Sequence, residues 1–314
     1  MSRYVNVAML QIASTSMEPD LQARKLEHWG KMAFYLDMMC MLNPSIDLVV
    51  APEIYIDGMD PVHFDELAET IPGPMTELFC AKAAQLGIWL VPGSMLEKVP
   101  GEDGYYNTAL LISPQGEIAM KYHKIFIPRP MEPSKPGKEF PVYDAPGIGK
   151  VALMICADGH VPEVARNLAL KGAELILKPA LQPHWIGNVR NLVPVVQTRA
   201  IENQCFIVSV NHPAPLAMGH SCICDPEGRI VEELGETDSY IVATINMDDV
   251  TNARQKGFAG CFPLLKMVKQ FKQEGVPLDS CYLGDVCEAP LFKDLEGNAP
   301  TTPEDFLQQG HQTL

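Results

Sequence analysis

Short apolar, β-rich runs alternate along this chain with longer helical patterns, and that alternation constrains the fold more than any other feature of the sequence. Runs at 5–12, 47–51, 88–92, 150–156, 174–178 and 206–210 read as strands, and stretches at about 21–42, 74–84, 162–171 and 188–202 read as helices. Two further strand pairs, 107–113 with 117–122 and 221–224 with 230–234, flank Pro114-Gln115-Gly116 and Pro226-Glu227-Gly228-Arg229, both hairpin signals. A last run, 239–247, closes the pattern. Strands in this order, joined by helical crossovers and two hairpins, predict an α/β sandwich and exclude an all-β or all-α domain.

Residues 128–141 break the alternation. Prolines at 128, 130, 133, 136 and 141 allow neither a helix nor a central strand, so this segment is predicted to be a stiff loop. No linker divides residues 1–250, which are expected to form one domain. Residues 251–314 form a different kind of segment, with one amphipathic candidate helix at 262–271 and then a tail punctuated by Gly, Pro and Asp. Tyr282, Leu283, Leu291 and Phe292 need cover, so this extension is expected to pack on the core or on a neighbouring subunit of a homo-oligomer, a dimer or larger.

A formal charge of −15 over 314 residues, with no dense basic run, excludes a nucleic-acid partner, because phosphate binding needs Lys and Arg concentrated in a patch. No apolar run approaches the roughly 18 residues of a spanning helix. The first residues lack the basic-then-apolar order of a signal peptide. The nine cysteines are odd in number and form no CxxC pair, as expected of reduced thiols in a cytoplasmic protein. There is no HExxH and no paired His/Cys ligand spacing, and Gly147-Ile148-Gly149-Lys150 lacks the rest of a phosphate-binding loop. Neither a metal nor an organic cofactor is expected.

Three segments put a reactive residue at the end of a strand, where loops converge and sites form in α/β sheets. Glu53 follows the buried run Leu48-Val49-Val50-Ala51-Pro52; a poorly hydrated carboxylate there suits a base. Lys124 ends Lys121-Tyr122-His123-Lys124, just before the proline loop, where an ammonium can stabilise an oxyanion. Cys156 ends an apolar run and precedes Ala157-Asp158-Gly159 and the helix at Pro162. That strand-to-helix elbow exposes the thiol near backbone N–H donors, a placement that favours thiolate character.

Taken together these segments resemble the nitrilase superfamily, whose triad is Glu, Lys and Cys in this chain order. Tyr106-Asn107-Thr108-Ala109, Pro162-Glu163, Arg166, Gly219-His220-Ser221 and Asp225-Pro226-Glu227-Gly228-Arg229 add to the likeness, which covers roughly residues 4–255. The resemblance implies a four-layer α-β-β-α sandwich and a cysteine-dependent amidohydrolase for non-peptide C–N bonds. It is greatest to the aliphatic amidase and formamidase branch, which carries a second glutamate eight residues after the lysine; Glu132 stands there. Ala157-Asp158 replaces the Trp-Glu usual after the cysteine of true nitrilases. Ile54 and Pro128-Arg129 depart from the branch where aromatic residues are usual, which implies a reshaped acyl pocket.

On this resemblance Glu53, Lys124, Cys156 and Glu132 are the expected catalytic residues, and Ala157, Asp158, Tyr106 and Arg129 the expected substrate-binding ones. The expected substrate is a small aliphatic amide or formamide. An N-carbamoyl or other substituted amide is the second reading, since Arg129 could pair with a substrate carboxylate. A non-catalytic interaction protein with the same fold is the third.

Overall fold

The computed structural model describes residues 3–183, 189–257 and 263–275. Along the chain come β1 (Tyr4–Gln11), β2 (Leu48–Val50), β3 (Trp89–Val91), β4 (Ser94–Glu97), β5 (Tyr106–Ile112) and β6 (Ile118–His123). They are followed by β7 (Val142–Ala145), β8 (Gly149–Leu153), β9 (Leu175–Pro179), β10 (Phe206–Val210), β11 (Cys222–Cys224), β12 (Ile230–Glu233) and β13 (Ser239–Asn246). One sheet has the order β13-β1-β2-β3-β5-β4, with β6 also on β5; the other runs β12-β11-β10-β9-β8-β7. β13 returns to pair antiparallel with β1 along its whole length, so the end of the strand pattern closes on its beginning.

The helices are α1 (Leu21–Leu42), α2 (Phe64–Leu67), α3 (Pro74–Leu86), α4 (Pro162–Leu170), α5 (Val189–Asn203), α6 (Asp248–Gln255) and α7 (Leu264–Gln273). Side-chain alternation along the strands sorts them into layers. Val5, Val7 and Met9 of β1 meet Val151 and Leu153 of β8 in a core between the sheets. Ala8 and Leu10 face the other way, onto Met32 and Leu36 of α1 and Phe79 and Ala83 of α3. In the second sheet Ala152 and Ile176 face Val164 and Leu168 of α4 and Val196 of α5. Both faces of each sheet are therefore covered, and the central strands are predominantly apolar. Each fully buried aliphatic side chain contributes about 1.5–3 kcal/mol. The result is a four-layer α-β-β-α sandwich.

Every strand expected from the apolar runs is present, with ends moved by a few residues. The expected strand 150–156 stops at Leu153, because the chain turns out of the sheet before Cys156. β4 and β7 are additional; each is four residues long and interrupted by acidic or hydroxyl side chains that hide the alternation. α7 realises the amphipathic segment of the extension. Tyr282, Leu283, Leu291 and Phe292 lie outside the described residues. Among the described residues no helix is long and apolar enough to cross a membrane.

Candidate active site

Glu53 stands three residues beyond β2 on a loop fixed from every side. Gly93 permits a close approach there: a Cβ at that residue would lie 1.8 Å from the Pro52 carbonyl oxygen. The next residue, Ile54, has φ +48°, a conformation that costs a β-branched side chain about 1–3 kcal/mol. The surroundings offset that strain. Ser94 Oγ accepts from the Ile54 N–H at 3.0 Å, Asp57 Oδ2 accepts from the Leu96 N–H at 2.8 Å, and His28 Nδ1 donates to the Ile56 carbonyl at 2.8 Å. Lys25 of α1, itself buried, pairs with Asp57 at 2.9 Å. From the second sheet His212 Nε2 donates to the Glu53 carbonyl at 2.6 Å.

The Glu53 carboxylate, only 2% exposed, is poorly hydrated as expected. Its Oε1 accepts from Lys124 Nζ at 2.7 Å and from Asn107 Nδ2 at 2.9 Å, and its Oε2 accepts from the Leu181 N–H at 2.7 Å. Lys124 follows β6 directly and is also buried. It donates to Glu132 Oε2 as well, so one ammonium is shared by two carboxylates. Burial alone would lower this ammonium, but Glu53 and Glu132 outweigh it and hold it well above the usual lysine range. Glu132 sits in the proline loop with its Oε1 accepting from Asn107 Nδ2 and Ser134 Oγ, each at 2.9 Å. The Asn107 amide thus bridges both carboxylates.

Cys156 opens a tight 3-10 turn, Cys156–His160, that leads into α4. Its φ of +44° is the left-handed conformation of a strained elbow. Asp158 closes the turn from below: it is fully buried and accepts from the Ile155 N–H at 3.0 Å, the Phe126 N–H at 2.8 Å and the Tyr122 hydroxyl at 2.8 Å. Cys156 Sγ donates to the Leu181 carbonyl at 3.5 Å, so residue 181 offers its N–H to the Glu53 carboxylate and its C=O to the thiol. The expected thiolate character is corrected here. Burial and the nearby Glu53 carboxylate push the thiol up to about 12, and Lys124 and Lys178 oppose them only in part. The sulfur rests as a neutral thiol that needs a base.

Glu53, Lys124, Glu132, Cys156 and Ala157 line one open cavity of about 110 Å³. Its other wall is mostly apolar, with Ile54, Phe64, Met131 and Leu181, and His160 and Gln182 stand at one side. The other three expected binding residues are elsewhere. Asp158 is the bracket under the elbow and does not line the cavity. Tyr106 points away, stacking on His123 at 4.1 Å and donating to Glu102 at 2.8 Å. Arg129 is exposed and absent from the lining. Sequence reasoning gave no role to Asn107, Lys178 or His212. A lysine ending the apolar run 174–178 was the visible signal for Lys178, and Asn107 stood in the Tyr106-Asn107-Thr108-Ala109 segment of the resemblance with no role attached; nothing in the sequence marks His212. No group of three metal-ligating side chains occurs among the described residues.

A family model described as carbon-nitrogen hydrolase matches residues 6–255. Formamidases from Bacillus cereus (strain B4264) and Bacillus anthracis (strain CDC 684 / NRRL 3495) are each 40% identical over 179 residues, covering 54% of this chain and 51% of theirs. The chain thus spans about half the length of the curated relatives it matches. Among solved structures, Saccharomyces cerevisiae Nit3, a member of branch 10 of the nitrilase superfamily, aligns with TM-score 0.73 and 25% identity over 81% of this chain and 94% of that one. A carbon-nitrogen hydrolase from Helicobacter pylori G27 shares the fold with TM-score 0.74 and 22% identity over 88% and 99%. Two sheets between helical layers, a buried Glu–Lys–Glu cluster beside a strained cysteine, and a family match across both sheets lead to one conclusion: the chain belongs to the carbon-nitrogen hydrolase family of the nitrilase superfamily.

Proposed function

We propose that this protein hydrolyses a small, neutral aliphatic amide to its carboxylic acid and ammonia through a thioester on Cys156. The observation that carries this reading is the Lys124 ammonium seated between Glu53 and Glu132 on the wall of the cavity that Cys156 lines. Glu53 takes the thiol proton, and the sulfur attacks the amide carbon. Lys124 and the N–H of Ala157 hold the oxyanion as the carbonyl becomes tetrahedral. Glu53 then hands the proton to the departing nitrogen, and ammonia leaves. Water, deprotonated by the same carboxylate, cleaves the thioester. Glu132 accepts hydrogen bonds from the substrate NH₂ and keeps the carbonyl in line with the sulfur.

The lining favours a neutral acyl group. Among the described residues Lys124 is the one Lys or Arg on the cavity, and two carboxylates already share it, so nothing there matches a substrate carboxylate. This weighs against N-carbamoyl amino acids, as does the exposure of Arg129. The same reading keeps a hydrolase domain over 1–250, a cytoplasmic setting and a homo-oligomer with the 251–314 extension at subunit contacts. Leu264, Val268 and Phe271 of α7, at 39%, 46% and 41% exposure, support that last part.

Ammonia release should be measured on formamide, acetamide, propionamide, butyramide, an N-carbamoyl amino acid and acetonitrile, with Cys156→Ala as the blank. Turnover is expected on the simple amides and absent on the nitrile and the carbamoyl compound. Activity confined to the carbamoyl compound would replace this reading with the second one, and no activity above the blank would end it.

A further inference from the structure

We propose that Lys178 is a charge partner of the nucleophile: its buried ammonium, held beneath the elbow that carries Cys156, compensates the charge that appears on sulfur when the thiol proton leaves. This rests on the reading of Cys156 as nucleophile. β9 lies parallel to β8 with Leu177 opposite Leu153, so Lys178 leaves the sheet at the level where β8 ends and the elbow begins. Leu175 and Leu177 face the core between the sheets and Ile176 faces the helices; alternation therefore puts Lys178 on the helix side, under the 3-10 turn. Gly159 of that turn makes the room. A Cβ there would stand 2.5 Å from Lys178 Cε and 3.1 Å from its Cδ.

The lysine is 1% exposed, donates to Ser209 Oγ at 3.2 Å, and has no carboxylate partner among the described residues. A buried cation without a counter-charge is costly, and its partner must be sought in the field around it. The groups facing the elbow account for themselves. Arg199 of α5 pairs with Glu202 at 2.9 Å and donates to the carbonyls of Gly159 and His160. Asp158 is served by the Tyr122 hydroxyl and by the N–H groups of Ile125, Phe126 and Ile155. His160 lines the cavity and is hydrogen-bonded to Gln182. That leaves Glu53, Glu132 and Asp158 facing one Lys124, an excess of negative charge that Lys178 offsets in part.

The total charge is unchanged by the proton transfer. As the S–H bond of Cys156 breaks and an O–H bond forms on Glu53, the negative charge moves from carboxylate to sulfur, and Glu132 and Cys156 then face Lys124 and Lys178. Lys178 also acts in the required direction on the resting thiol, which burial and Glu53 push up and the two lysines pull down.

The test is the rate at which iodoacetamide alkylates Cys156, followed by peptide mass between about pH 6 and 9 in wild type and three variants. Lys178→Met removes the charge; its profile is expected to move up by about one pH unit, which is about tenfold slower alkylation at a given pH, with the melting curve kept. Lys178→Arg keeps the charge and is expected to stay near wild type. Gly159→Ala keeps the lysine but displaces its stem, and its profile is expected to move in the direction of Lys178→Met. A Lys178→Met profile that superimposes on wild type overturns the proposal, and so does a Lys178→Arg profile displaced as far as that of Lys178→Met. If Lys178→Met does not fold, Gly159→Ala decides by the same criterion. Alkylation reads the thiol without turnover, so a chain that hydrolysed no amide would end the amidase reading and leave this result standing.

Discussion

Glu132 and its donors form an arrangement that only a carboxylate satisfies. Its Oε2 takes Lys124, while its Oε1 takes both Asn107 Nδ2 and Ser134 Oγ. Glutamine in the same rotamer has one acceptor oxygen. If that oxygen serves Lys124, its NH₂ is driven against the Asn107 NH₂; if it serves Asn107, its NH₂ meets an ammonium. Either way a substrate amide loses a fixed acceptor, and misplacement by about an ångström can cost a hundredfold in rate. Glu132→Gln is therefore expected to lower amide hydrolysis by about a hundredfold. Alkylation of Cys156 should change by less than about tenfold, since the base and thiol remain. Both rates belong in one preparation. A common fall would make Glu132 a tuner of the nucleophile, and no fall would remove it from the site.

The elbow and the two loops beside it act as elements joined by Asp158. Its carboxylate ties the turn after β8 to the segment after β6 that begins at Lys124, so it sets the distance between nucleophile and cation without touching substrate. Asp158→Asn keeps the shape but turns one acceptor into a donor that faces either the Ile155 N–H and Tyr122 hydroxyl or the Ile125 and Phe126 N–H groups. Leaving such a buried donor unmatched costs about 1–3 kcal/mol. Urea unfolding should show a loss of that size, with kcat lowered as the elbow shifts; an unchanged midpoint and kcat would show that the bracket is dispensable. This residue also marks the limit of what the sequence discloses. Glu53 and Cys156 were legible because apolar runs stop at them, Lys124 because a hairpin strand ends there just before the proline loop, and the pattern of all three resembles a known superfamily. The role of Asp158 was not, since a polar residue after a nucleophile reads equally as a ligand contact or a bracket, and only the three-dimensional path of residues 122–126 decides. Asn107 and Lys178 were visible as polar residues, but their roles were hidden for a related reason. They sit within strands whose apolar neighbours dominate the pattern, and their partners are far away in sequence. Arg129 misled because a charge in a loop beside the site carries no sign of which way it faces.

At the scale of the whole molecule, the two sheets are bridged at the active site by a histidine that must stay neutral. His212 lies beyond β10 of the second sheet, is fully buried, and stacks on Tyr55 at 6.0 Å while its Nε2 donates to the Glu53 carbonyl of the first-sheet loop. Among the described residues its Nδ1 has no hydrogen-bond partner, so protonation there would place an unmatched charge in the interior. Burial accordingly lowers this imidazole to about 4 from its ordinary 6.5. Between those two values the unfolded chain binds the extra proton and the folded chain does not, so stability rises with pH through this window. The contribution is complete above about pH 6.5 and fades as the pH falls towards 4, by about 3 kcal/mol in all. Burial shifts Asp57 and Asp158 upward, and raised carboxylates act in the opposite sense, so the wild-type curve alone does not isolate the histidine. A variant does. His212→Gln keeps a donor for the Glu53 carbonyl and removes the titration. Urea unfolding at one protein concentration, at about pH 7 and pH 5, should show wild type losing about 2 kcal/mol more than the variant across that interval. A difference between the two proteins that does not change with pH would mean that His212 is protonated without leaving its place, and that the joint between the sheets tolerates the charge.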